Sequence, residues 1–278
     1  MVKKYFKREF SDLIRLVRFA WIALLGVSIL TSCAMLLINN VDFESIEDIS
    51  FLLFEMFYGA MIPLFMLAVA SVFLFTFGLF VVRFYRSMLS NEGYLTHSIP
   101  LRTTQLLNVK LLAGVIIFLL DVLAALIAVV IVILPTALTS ATLKELWEGF
   151  TYLWNEIFSE MALGYRIALI AEAVLICLAG LCFGLIYPVT CMSVGQRFKN
   201  RILMSVVFYV GISWILQFVT SAGYIVAVFF LGAIEEFNPQ PGPTLTLMGA
   251  VLLVLLSGAS VGGYFLSRHM LTKKLNLA

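Results

Sequence analysis

Two carboxylates stand out because they occupy positions where a charge is hardest to keep. Asp121 and Glu172 lie inside long apolar runs of a chain in which only 12% of the residues are charged. An ionisable side chain in such a run usually faces a bundle interior or water, and its natural chemistry is the binding of a proton, a cation or a polar substrate. No Lys or Arg stands inside any of the runs to pair with either acid. That leaves open a protonated acid, hydrogen-bonded to a neighbouring backbone group or hydroxyl. Asp121 falls near the middle of its run and Glu172 near the end of another. At 1.5 Å per helical residue the two differ by roughly 12 Å in depth, so they are not expected to act as a pair.

Other chemistries are weaker on these residues. Gly258-Ala-Ser260-Val-Gly262 matches the G-x-S-x-G pattern of serine hydrolases, but that elbow needs a strand turning into a helix. Here it lies within an apolar run, and His97 and His269, the only two histidines, fall outside every run. The same residues read better as a G-x-x-x-G face, Gly258 with Gly262, and Gly180 with Gly184 forms another; small residues at that spacing let membrane helices approach closely. Cys33, Cys177, Cys182 and Cys191 form no C-x-x-C pair, and with two histidines they make no typical zinc site. No metal is therefore expected. There is no P-loop, since no Lys follows a Gly, and no H-E-x-x-H motif. A net charge of +2 without a separate basic block gives no nucleic-acid footprint.

The elements that must position these residues follow from composition. With 62% of its residues hydrophobic and a mean hydropathy of +1.06, the chain has too few charges to cover a globule of 278 residues. A helix needs about 20 apolar residues to cross a bilayer core. Six segments qualify, over 19–38, 60–82, 111–134, 167–189, 202–230 and 245–266, so an all-α polytopic membrane protein forming one domain over 1–278 is expected. The fifth segment is long enough to tilt or break, with Gly211, Ser213 and Gly223 available to bend it. Leu30-Thr31-Ser32-Cys33 resembles a lipoprotein processing site, but the residues after Cys33 continue the apolar run. The first span is therefore expected to be retained.

Of the 18 basic residues, all but Lys144 and Arg166 fall in the N-terminus, the second and fourth connections, and the C-terminus. The opposite connections hold Asp42, Glu44, Glu47, Asp48, Glu145, Glu148, Glu156, Glu160, Glu235 and Glu236. The positive-inside rule then places both termini in the cytoplasm. Two amphipathic helices are expected beside the six spans. Over 1–18, Phe6, Phe10, Leu13, Ile14 and Val17 recur at helical spacing opposite Lys7, Arg8, Arg15 and Arg18, a pattern suited to the cytoplasmic leaflet. Within an extracellular loop over 135–166, Leu143, Leu146, Trp147, Phe150, Leu153, Trp154, Ile157 and Phe158 keep the same period.

The longest cytoplasmic connection, 83–110, is the least explained by topology alone. Asn91-Glu92-Gly93 reads as a turn, Pro100 keeps Ile99 out of a helix, and Thr103 is placed to cap a helix running into the third span. The run Glu92-Gly93-Tyr94-Leu95, followed by Ile99-Pro100-Leu101 and then Gln105-Leu106 and Lys110-Leu111, resembles the corresponding loop of ABC-type exporter permeases from Gram-positive bacteria. In those, EGYL-x-x-x-LP leads into S-x-x-Q-L-x-x-x-K-L. Fainter echoes are Ser193-Val-Gly-Gln-Arg-Phe198 and Leu271-Thr-Lys-Lys-Leu-Asn-Leu277. Ile99 stands where the family usually has Leu, and Arg102 where it has a hydroxyl residue.

The resemblance implies a specific division of labour. Two six-span permeases, a second copy or a paralogue, would form a dimer in the cell membrane, each docking a separate ABC ATP-binding subunit. Glu92, Gly93, Tyr94, Leu95, Pro100 and Leu101 would form the coupling loop that contacts it. ATP and magnesium would be held by that partner, leaving this chain with no cofactor and no catalytic residues of its own. Two other classes stay in view: an ion-coupled transporter using Asp121 or Glu172, which inverted repeats would favour and which shows no convincing repeat, and an intramembrane enzyme, for which no His, Cys or paired-carboxylate set converges at one depth.

Overall fold

In the computed structural model the described residues are 1–39, 48–90, 93, 96, 98–137, 140–158, 161–235 and 241–273. Seven long helices carry nearly all of them: α1 (Val2–Asn39), α2 (Asp48–Leu89), α3 (Thr103–Ala137), α4 (Ser140–Phe158), α5 (Leu163–Gly195), α6 (Arg201–Glu235) and α7 (Pro241–Lys273). No strand occurs among the described residues. Six of the helices contain segments long and apolar enough to cross a membrane: Val2–Leu36, Gly59–Leu89, Thr103–Leu134, Leu163–Gly195, Arg201–Gly223 and Met248–Lys273. The architecture is that of a multi-pass membrane protein.

The N-terminal amphipathic stretch is helical and runs into the first span without a break. Residues 2–25 contain neither Gly nor Pro, so nothing interrupts the hydrogen-bond ladder. The second span is also longer than its apolar stretch: α2 reaches from Asp48 to Leu89 and carries Pro63 internally. The fifth span keeps a continuous helix through Gly211, Ser213 and Gly223 instead of breaking there. Helix α4 is the second amphipathic helix, with Trp147, Phe150 and Tyr152 exposed and Lys144 set 3.8 Å from Glu148 one turn on.

The chain divides into two compact units. One comprises Lys3–Phe80 and Ile116–Leu153 and so contains most of α1 and α2 with the later part of α3. Its core is Leu24, Phe65, Val72 and Ala128, flanked by Ala20, Trp21, Ala68, Val69 and Val132. Each helix presents residues three, four or seven apart, the stripe expected of helices packed side by side.

The other unit comprises Met1–Val2, Val81–Val115 and Trp154–Ala278. Within it α5 packs against α7 and α6. The Thr190 hydroxyl lies 3.1 Å from the Gly263 carbonyl and 2.9 Å from the Ser267 hydroxyl, tying α5 to α7. The Tyr187 hydroxyl donates to the Tyr209 carbonyl at 2.5 Å and lies 2.8 Å from the Ser213 hydroxyl, tying α5 to α6. Tyr264 on α7 donates to Asn108 Oδ1 on α3 at 2.7 Å. Phe84, Met88, Leu89, Leu106 and Leu107 are buried where α2 ends and α3 begins.

Candidate functional site

Asp121 is fully buried, and its surroundings are drawn from three helices. The indole Nε1–H of Trp21, on α1, donates to Asp121 Oδ1 at 2.6 Å. Thr76, on α2, is 3% exposed and flanks the carboxyl. Neither Thr76 Oγ1 nor Asp121 Oδ2 has a hydrogen-bond partner. Buried polar groups are nearly always paired, so two neighbouring exceptions in one place mark a site. Residue type and span position single out Asp121 in the sequence. Trp21 and Thr76 carry no such signal, because what recruits them is a helix contact across 100 and 45 positions of chain.

Glu172 belongs to the other unit and is half-buried on α5. Its Oε2 is buried without a partner and presses on Gly249 of α7, where a Cβ would collide with the carboxyl. The missing side chain at Gly249 is what makes room for it. Further along α5, between it, α6 and α7, an apolar cavity of about 210 Å³ is lined by Phe183, Ile186, Tyr187, Ile212, Leu216 and Leu266.

The four glycines singled out by spacing sit away from the tight contacts. A Cβ at Gly180, Gly184, Gly258 or Gly262 would meet nothing within 4 Å. Close approach falls instead on Gly195, Gly249 and Gly263. On α7, Gly249 and Gly263 are fourteen residues apart, and 100° per residue puts them on one face, with Gly258 and Gly262 turned roughly 100–180° away from them. Both G-x-x-x-G faces are therefore left uncovered by the chain's own described helices.

The connection between α2 and α3 is described in part. Glu92, Tyr94 and Leu95 lie outside the described residues. Gly93 is buried and its N–H donates to the Ser90 carbonyl at 2.8 Å, Pro100 is exposed, and Leu101 is half-buried. Residues 98–102 are not helical, in keeping with the restriction Pro100 places on Ile99. The cap differs from the sequence expectation. Thr103 is the first helical residue and Arg102 takes the cap position: its N–H donates to Gln105 Oε1 at 3.2 Å, and its carbonyl accepts from Leu106 N at 3.1 Å. This is half of a capping box, the Gln supplying the reciprocal bond while Arg102 lacks the short acceptor that would complete it.

All four cysteines are free, and no group of three or more His, Cys, Asp or Glu able to hold a metal occurs among the described residues. No protein-family model matches the chain, and neither a curated protein nor a solved structure is detectably similar to it.

Proposed function

We propose that this chain is the membrane-spanning permease subunit of an ATP-driven ABC-type transporter, working as an exporter in the cell membrane with both termini cytoplasmic. The observation that carries the reading is the segment 92–111, whose Glu-Gly-Tyr-Leu, Ile-Pro and Gln-Leu…Lys-Leu elements stand between the second and third of six spans. Three features support it. The segment hangs between two long helices whose adjoining ends bury Phe84, Met88, Leu89, Leu106 and Leu107, so a force applied to it would be passed to the helices and not absorbed by a loose loop. Basic residues flank it, as a cytoplasmic surface requires. The uncovered Gly180/Gly184 and Gly258/Gly262 faces leave room for a second permease copy.

On this reading a separate ATPase binds nucleotide and magnesium, docks on the coupling loop, and favours one permease state over the other when ATP is bound. Only that difference in affinity does work, since equal affinity for both states shifts nothing. The test is association. The permease should co-purify with a nucleotide-binding subunit, and Glu92→Lys, or deletion of residues 91–100, should weaken that association; an intact complex after the deletion refutes the coupling role. A cysteine placed at Ser45 should react from outside the cell with an impermeant thiol reagent. Labelling only after lysis refutes the orientation.

A further inference from the structure

The unpartnered atoms around Asp121 ask for one thing that the chain does not supply. A carboxylate at this position would have two neutral donors at most, the Trp21 indole N–H and the Thr76 hydroxyl, and no cation, in an apolar interior where desolvation disfavours the charge. Among the described residues, no counter-ion comes from the elements of its unit. On α1, Arg15 and Arg18 are exposed, and Arg18 lies 5.0 Å from the centre of the Phe19 ring. Glu9 is more than three turns from Trp21. On α2 the nearest described charge is Arg83, about two turns from Thr76, and on α3 it is Lys110, about three turns before Asp121. On α4, Lys144 is exposed and already beside Glu148.

The Thr76 hydroxyl can serve either form, donating to the carboxylate or accepting from the acid, but only a proton also removes the uncompensated charge. Placed on Oδ2, the proton makes that atom a donor, and the Thr76 hydroxyl beside it becomes the acceptor, while Oδ1 keeps the Trp21 bond. We infer that Asp121, Trp21 and Thr76 form an intramembrane proton-binding site joining α1, α2 and α3. Taking up the proton converts the carboxylate to the acid; releasing it passes the proton to a water molecule and leaves an anion with only neutral donors, Trp21 and Thr76, beside it. Release therefore requires water or a cation to reach the node, and in this arrangement Asp121 is 0% and Thr76 3% exposed. The proton-free form must be a loosened arrangement of these three helices, so occupancy and helix packing are two readings of one equilibrium. The inference is independent of the coupling-loop assignment, because none of its residues lies in the 83–110 segment.

The experiment uses the full-length protein in lipid nanodiscs and infrared spectroscopy. At neutral pH the wild type should show a protonated-carboxyl C=O stretch that disappears in Asp121→Asn and persists in Glu172→Gln. Trp21→Phe should move the band to higher frequency, because the carbonyl loses its donor. Transfer to D₂O should shift the band over time as the proton exchanges. Absence of an Asp121-dependent band overturns the site, as does a band that belongs to Glu172. A band that never shifts in D₂O shows a proton fixed for good, and overturns the claim of uptake and release.

Discussion

Alanine at three glycines of one helix-packed unit should give three different outcomes, and the order follows from what each Cβ meets. At Gly195 it would lie 2.7 Å from the backbone N and 2.8 Å from the Cα of Ser205 on α6. Those atoms belong to a helix backbone and cannot swing aside, so α5 and α6 must separate by several tenths of an ångström. Overpacking of this kind costs about 1–3 kcal/mol, and the backbone obstacle puts Gly195→Ala at the upper end. At Gly263 the obstacles are Ile186 Cγ2 and Thr190 Oγ1, each at 3.0 Å. Both are side-chain atoms, but Thr190 is held by its contacts to Gly263 and Ser267, so it yields only by weakening them. Gly263→Ala should therefore fall between.

At Gly262 nothing lies within 4 Å, and alanine should only gain helix propensity, about 0.5–1 kcal/mol in its favour. The first and last variants should thus differ by about 2–4 kcal/mol, combining the overpacking and propensity ranges. Unfolding of the detergent-solubilised protein, followed by tryptophan fluorescence in a denaturant titration, resolves a gap of that size. Gly195→Ala and Gly262→Ala unfolding together would refute the α5–α6 contact; Gly262→Ala falling below Gly263→Ala would refute the facing of α7 toward α5. Because Gly258 and Gly262 face away from the chain's own contacts, Gly258→Leu with Gly262→Leu should leave monomer unfolding unchanged and abolish a cross-linkable dimer.

Trp21→Phe keeps an aromatic side chain, though a smaller one, and removes the indole N–H that donates to Asp121 Oδ1; it should destabilise the protein by about 1–3 kcal/mol in the same titration. Thr190→Val should cost about 1 kcal/mol, and combined with Ser267→Ala should cost less than the sum of the two, because both substitutions break the same α5–α7 bond. Gln105→Ala removes the bond to the Arg102 N–H and should lower protection of that amide in hydrogen exchange, with a stability loss of about 0.5–1 kcal/mol.

The spans were legible because crossing a bilayer demands length and apolarity, both of which are written directly in the residues. Their ends were not. Helix α2 begins at Asp48, twelve residues before the apolar stretch, because acidic residues at a helix start are no obstacle to helix formation. The glycine spacing at 258/262 pointed to a close helix contact, yet no described atom stands within 4 Å of a Cβ there, whereas solitary Gly195 and Gly263 take the close contacts. A periodic pattern describes one helix; a contact needs two. The same limit hid Trp21 and Thr76 beside a carboxylate that the sequence picked out alone, and it placed the cap at Thr103 when Gln105 had already fixed it at Arg102.

Thr76 offers the sharpest separation between an accidental and an employed polar group. Seven other buried hydroxyls, on Ser28, Thr31, Thr190, Ser193, Ser205, Ser260 and Ser267, each lie within hydrogen-bond reach of a carbonyl three or four residues earlier in their own helix. Thr31 bonds Val27 in this way at 2.9 Å, and Thr76 stands in an equally regular helix with the Val72 carbonyl four residues back. Yet it leaves that bond unmade. In a bilayer, where apolar burial does little to choose between helix registers, a hydroxyl turned from its own backbone is of use only to another helix. Thr76→Val, which keeps the shape and removes the hydroxyl, then has a sign as its readout. An idle, unsatisfied hydroxyl makes the variant more stable, because a buried desolvated group is lost. A hydroxyl bonded to the Asp121 carboxyl makes it less stable, by about 1 kcal/mol, and makes Thr76→Ser nearly neutral. Destabilisation by Val with rescue by Ser is the expected result, and a more stable Val variant would refute the hydrogen bond on which the proton site depends.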